Sequence, residues 1–76
     1  MVRAYVLIEM AAGYARELVN ILKGRDGVRS VARVTGPYDV IAELEAGDID
    51  ALSELVADEV HPIAGVVRTI TCVCIR

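Results

Sequence analysis

Long apolar runs are missing from this sequence: none approaches the ~20 residues that a helix needs to cross a bilayer. Basic clusters are missing too. Eight Lys and Arg side chains are scattered along the chain against eleven carboxylates, for a net charge of −3. Binding to a phosphate backbone draws on counterion release by a basic patch, so no direct contact with nucleic acid is expected. Arg29 and Arg33 fall on one face of an alternating stretch and could gather positive charge; a solvated strand edge is the simpler reading. Only two cysteines occur, Cys72 and Cys74, side by side on one strand face, a spacing that does not readily meet disulfide geometry. The chain is therefore no disulfide scaffold and fits a reducing, cytoplasmic setting. Cys72-Val73-Cys74 could bind metal, but only one histidine, His61, and no further cysteine exist to complete a tetrahedral set. Neither metal nor cofactor is expected.

Catalytic patterns are scarce as well. No Ser/His/Asp or Cys/His spacing stands out, and no glycine loop is built to cradle phosphate. Glu43 and Glu45 share a strand face, as exposed strand carboxylates commonly do. No catalytic residue is assigned. The opening Met1-Val2-Arg3 runs straight into strand-like alternation, without the apolar segment and cleavage site of a secretory leader.

Apolar residues, in contrast, are abundant. They make up 55% of the 76 positions, above the ~45–50% usual for soluble domains. A chain of this length forms one domain, residues 1–76, and buries only about 60–65% of its unfolded surface. The excess of apolar side chains predicts self-association.

The period of those side chains changes along the chain. Val2 to Met10 alternates, with Val2, Ala4, Val6 and Ile8 on one face and Arg3, Tyr5, Leu7 and Glu9 on the other. Both faces are largely apolar, which predicts a strand covered on both sides. Over Ala11–Lys23 the period becomes helical, with Tyr14, Leu18, Ile21 and Leu22 on one stripe. Gly24 and Gly27 end that helix. Val28–Thr35 reads as the second strand and Tyr38–Glu45 as the third, joined by a tight reversal at Gly36-Pro37. Asp48 is placed to cap a second helix, whose stripe is Ile49, Leu52, Leu55, Val56, Val60 and Ile63 and which Pro62 halts near His61. Val66–Ile75 is the last strand.

The order β-α-β-β-α-β defines an α+β, ferredoxin-like fold: a four-stranded antiparallel sheet with two helices on one face. The other face carries apolar side chains from several strands. Burying it would be favourable by about 25 cal/mol per Å², so the expected assembly is a two-fold homodimer packed sheet to sheet, of the dimeric α+β barrel type.

The central turn and the last strand hold the candidate site residues. Around Gly36, free backbone amides, the Tyr38 ring and the Asp39 carboxylate could receive an ammonium group; alternatively, Asp39 is a turn aspartate that bonds nearby amides. Thr69 and Thr71 share a strand face and could bond a small polar ligand, although threonine is also simply a good strand former. His61 sits where a helix ends, a place that suits a partly charged imidazole, which favours a structural role.

Val34-Thr35-Gly36-Pro37-Tyr38-Asp39-Val40, followed about thirty residues later by Gly65-Val66-Val67-Arg68-Thr69-Ile70-Thr71, resembles the effector-binding domain of the leucine- and asparagine-responsive (Lrp/AsnC) transcription regulators, the RAM domain. The likeness runs from Tyr5 to Ile75. It implies the βαββαβ fold, dimers through facing sheets, rings of four dimers (octamers), and amino-acid effectors at contacts between dimers. The positions that carry the motif, and with it the implied effector site, are Gly36, Tyr38, Asp39, Thr69 and Thr71; Pro37 fills a variable one. Regulators of this family carry a helix-turn-helix domain ahead of this one, whereas here a strand begins at once. The resemblance thus implies a stand-alone effector sensor that does not bind DNA alone and joins a full-length Lrp/AsnC regulator. Three other readings remain at this point: a small dimeric α+β barrel enzyme using groups such as His61 or Tyr5, an ACT-like amino-acid-binding module paired side by side, and a purely structural oligomeriser.

Overall fold

Alternation at period two places Ala4, Val6, Ile8 and Met10 on one face of a strand, and that face is the floor of the core. In the computed structural model, which describes residues 1–75, β1 (Val2–Met10) pairs with both β3 (Val40–Ala46) and β4 (Val66–Val73), while β2 (Val28–Arg33) pairs with β3. The sheet order is β2-β3-β1-β4 and every pairing is antiparallel. Helices α1 (Ala15–Leu22) and α2 (Ile49–Leu55) cover one face. Leu18 and Leu22 of α1 and Leu52 of α2, followed by Val56 and Val60, meet Ala4, Val6, Ile8, Val40, Ala42 and Leu44 in one buried cluster. The ferredoxin-like βαββαβ fold expected from the sequence is therefore present.

Each helix begins for a local reason. The Asp48 carboxylate accepts the Ala51 amide at 2.7 Å, which caps α2 as expected. Helix α1 starts later than the sequence period suggests, at Ala15 rather than Ala11. The Ala11 amide donates to the Gly65 carbonyl at 2.7 Å, and Gly13 has φ +87°, so this segment is a turn tied to the start of β4. After Leu55, α2 widens into a π-type turn over Val56–Val60, where the His61 amide donates to the Val56 carbonyl at 3.0 Å. Such widened turns are local insertions into a helix and are frequent near functional sites. Pro62 follows and ends the helical run.

The link between β2 and β3 differs from the expected tight reversal. The strands stop at Arg33 and resume at Val40, so Val34–Asp39 form a longer loop and Tyr38 lies outside the strand. The loop is closed by the Val34 amide donating to the Asp39 carbonyl at 2.9 Å and held to β1 by the Asp39 amide donating to the Ile8 carbonyl at 2.9 Å. β2 also contains an irregularity between Val28 and Ser30. It separates Arg29 from Arg33. Arg29 turns to Glu43 (3.6 Å) and Glu45 (3.1 Å), whereas Arg33 borders a depression with Gly13, Ala15 and Arg16 beside α1. The two arginines do not share a face, because the extra residue shifts the alternation by one.

The open face of the sheet is patterned. Ala32, Ile41, Leu7 and Ile70 are successive register partners, so one apolar row crosses all four strands. The next row holds Ser30, Glu43, Tyr5 and Cys72. Around this face run the Arg3–Glu43 and Arg68–Glu9 pairs, each at 3.3 Å. Pairs this exposed contribute about 0–1 kcal/mol each; what they define is a charged rim. Tyr5 and Ile70 are 44% and 41% exposed in the single chain. The last strand ends at Val73 rather than Ile75, with the Cys74 amide still donating to the Arg3 carbonyl at 2.8 Å.

Candidate functional site

Alternation along β4 decides where the threonines go. Thr69 lies opposite Ile8 and Thr71 opposite Val6, so both share the helix-covered face. There they line a groove of about 240 Å³ between β4 and α2. Helix α2 and its widened turn supply Ile49, Leu52, Ser53 and Val56; β4 adds Val73; His61 completes the lining. His61 Nε2 and Thr69 Oγ1 are 2.9 Å apart, a hydrogen bond whose donor is set by the imidazole tautomer. The widened turn carries His61 to that position. In a regular helix the amide of residue 61 would bond one residue later than Val56, and the chain would leave α2 at a different angle.

Gly36, Tyr38 and Asp39 occupy the β2–β3 loop at one end of the sheet. Gly36 has φ +116° and open space where a Cβ would stand, so its need for glycine is conformational. Asp39 does more than shape its own turn. Its Oδ2 accepts the Met10 amide at 2.7 Å, across 29 positions of sequence, and pins the loop to the end of β1. Tyr38 meets Arg68: the guanidinium donates to the phenol oxygen at 3.3 Å and lies 5.5 Å from the ring centroid. Arg68 also stands 3.3 Å from Glu9 on the open face, and its side chain is 60% exposed.

The five candidate residues thus form two groups. Thr69 and Thr71 share the helix-side groove; Gly36, Tyr38 and Asp39 share the loop. Arg68 and Thr69 are neighbours on a strand and point to opposite faces, so Tyr38, through Arg68, faces away from the threonines. Among the described residues, no hydrogen bond links the side chains of the two groups. Two further residues belong to these groups without a clear signal in the sequence. Arg68 reads there only as a scattered charge, although it sits one residue before Thr69 in the motif. His61 reads as structural, because nothing in the sequence signals that a π-type turn aims it at Thr69.

The site is thus a groove beside the edge strand β4 of a ferredoxin-like sheet, with no carboxylate, lysine or arginine in its lining among the described residues. The sequence profile described as the Lrp/AsnC ligand binding domain matches residues 3–76, and the chain belongs to that family. A comparison with curated proteins returns no match. Among solved structures, TTHA0845 from Thermus thermophilus is 32% identical with a TM-score of 0.93, over 100% of this chain and 95% of that one. E. coli AsnC is 21% identical with a TM-score of 0.91, over 99% of this chain and 51% of that one. The transcriptional regulator NMB0573 of Neisseria meningitidis, solved as an L-Met complex, is 22% identical with a TM-score of 0.87, over 99% of this chain and 50% of that one. The latter two share the fold, and this chain spans about half of each.

Proposed function

We propose that this chain is an amino-acid sensor and oligomeriser linked to transcription regulation, acting through protein assembly without contacting DNA itself. One observation carries the reading. Thr69 and Thr71 lie on the helix-covered face of β4, whereas Tyr38 meets Arg68, which points to the open face, so we assign a site that uses all five to two copies of the chain. One copy offers the groove with Thr69, Thr71 and His61; another offers Gly36, Tyr38 and Asp39, with Arg68 beside them. A free amino acid suits such a shared site. Asp39 Oδ1 meets its ammonium, Arg68 its carboxylate, and the groove its side chain. The L-Met complex of the structurally similar Neisseria regulator supports the ligand class.

The assembly follows from the open face. The row Ala32, Ile41, Leu7 and Ile70 runs across all four strands of that face, and in our reading two copies cover it by packing face to face as a homodimer. Dimers then meet through the loop and the groove, in rings of up to four dimers, and mixed assemblies with a full-length Lrp/AsnC regulator use the same contacts. Because the ligand lies between copies, its binding free energy is coupled to assembly. The absence of DNA contact is supported by Arg29, whose charge is held by Glu43 and Glu45. Free Cys72 and Cys74 fit a reducing, cytoplasmic setting.

A barrel enzyme is less well supported, because His61 lies on the helix side and Tyr5 on the open face. Side-by-side pairing of the ACT kind would leave the apolar row uncovered. Thermal shift and native mass spectrometry over the common amino acids test the proposal. At least one amino acid should raise the melting temperature and change the stoichiometry. If none does either, the sensor reading fails and a purely structural oligomeriser takes its place.

A further inference from the structure

The arginines of this chain divide into two sets. Arg3, Arg25, Arg29 and Arg68 each pair with a carboxylate. Arg16 and Arg33 pair with none among the described residues, yet both line one depression of about 270 Å³, together with Gly13 and Ala15. We propose that this depression binds a small phosphate-bearing anion through the Arg16 and Arg33 guanidiniums. It lies on the α1 side of the molecule and shares no lining residue with the groove between β4 and α2.

Two elements bring the guanidiniums together. Arg33 lies opposite Val40, which is fully buried, so its side chain leaves β2 on the helix-covered face. β2 is an edge strand, and α1 begins at Ala15, so Arg16 stands in its first turn. Gly13 and Ala15 add little side-chain bulk between the two. No carboxylate lines the depression among the described residues. Two guanidiniums at one concave site repel each other, and at close range salt screens that repulsion only in part. An anion between them replaces the repulsion with charge-assisted hydrogen bonds. The guanidinium fork fits phosphate bidentately, and a phosphate monoester carries about −1.5 to −2 charges at neutral pH, which matches two arginines. A single carboxylate would neutralise only one of them. The volume lies below the ~300–1,000 Å³ of pockets for drug-sized ligands, so inorganic phosphate or a small monoester fits better than a nucleotide. A nucleic-acid backbone needs a broader basic patch than two arginines on a chain of net charge −3.

Isothermal titration of the intact protein with inorganic phosphate and with glycerol phosphate tests this, at neutral pH and with ionic strength held constant by sodium chloride. Both should bind saturably, and more tightly than succinate, whose two charges sit on separate carboxylates. Arg16→Ala and Arg33→Ala should each weaken phosphate binding by about tenfold or more, the loss expected for a charge-assisted bond. Both side chains are exposed and unpaired among the described residues, so each variant should keep the parent circular dichroism spectrum; if one fails to fold, the other decides. Absence of saturable phosphate binding would overturn the proposal. So would succinate binding as tight as phosphate, or a phosphate affinity unchanged in either folded variant.

Discussion

Replacing Asp39 by Ala removes the side chain that ties the β2–β3 loop to β1. Its Oδ2 accepts the Met10 amide at 2.7 Å, and Met10 itself is buried at 8% exposure. A hydrogen bond to a charged acceptor contributes about 1.5–3 kcal/mol, and truncation also leaves the part-buried amide without this partner. We therefore expect Asp39→Ala to cost about 2 kcal/mol. At about 4–8 °C per kcal/mol for a domain of this size, the melting temperature should fall by about 8–16 °C. Total stability at about 0.05–0.15 kcal/mol per residue is about 4–11 kcal/mol, so the variant should still fold in the cold. Asp39→Asn keeps a neutral acceptor and should lose roughly half as much. Thermal denaturation followed by circular dichroism, at one fixed protomer concentration because assembly shifts the midpoint, measures both variants. If Asp39→Ala melts within about 2 °C of the parent chain, the bond does not hold the loop. An Asn variant as weak as Ala would show that charge, not the acceptor, matters.

Three further outcomes follow from the packing. Ile70→Glu places a carboxylate in the apolar row of the open face; light scattering should show loss of the homodimer with the strand spectrum retained, and an unchanged mass would refute sheet-to-sheet pairing. Gly65 has φ +90°, and a Cβ there would collide with the Tyr14 side chain. Gly65→Ala should therefore destabilise by about 2 kcal/mol or more, and Tyr14→Ala should recover part of that in a double-mutant cycle; purely additive effects would show that the clash is relieved by other means. Asp48→Ala removes the α2 cap and should cost about 1 kcal/mol in denaturant titration, with Asp48→Asn nearly neutral; equal losses would mean that charge rather than the acceptor is at work.

Most of the fold is legible in the sequence because it depends on apolar period. Ala4, Val6 and Ile8 against Leu18, Leu22 and Leu52 is a pattern that any antiparallel sheet under two helices produces. What cannot be read there depends on partners far along the chain. The Ala11 amide is taken by Gly65, so α1 cannot begin there. Asp39 is drawn to Ile8 and Met10, so the Gly36-Pro37 reversal opens into a loop. The irregularity at Arg29 leaves no mark in the sequence, yet it flips that side chain to Glu43 and Glu45. The motif residues can be picked out by their chemistry and spacing, but their distribution cannot: spacing alone suggests one cluster, whereas alternation at Arg68-Thr69 turns Arg68, with Tyr38 against it, away from the face that carries Thr69 and Thr71. His61 owes its place to a π-type turn that helical periodicity does not predict.

The central claim is that one amino acid is held between two copies of the chain. The direct measurement is a crystal structure grown with L-Met or L-Leu. The predicted result is ligand density bounded by Thr69 and Thr71 of one copy and by Tyr38, Asp39 and Arg68 of another. Density enclosed entirely within one copy, or a lattice without any such contact between the groove and the loop, would contradict it.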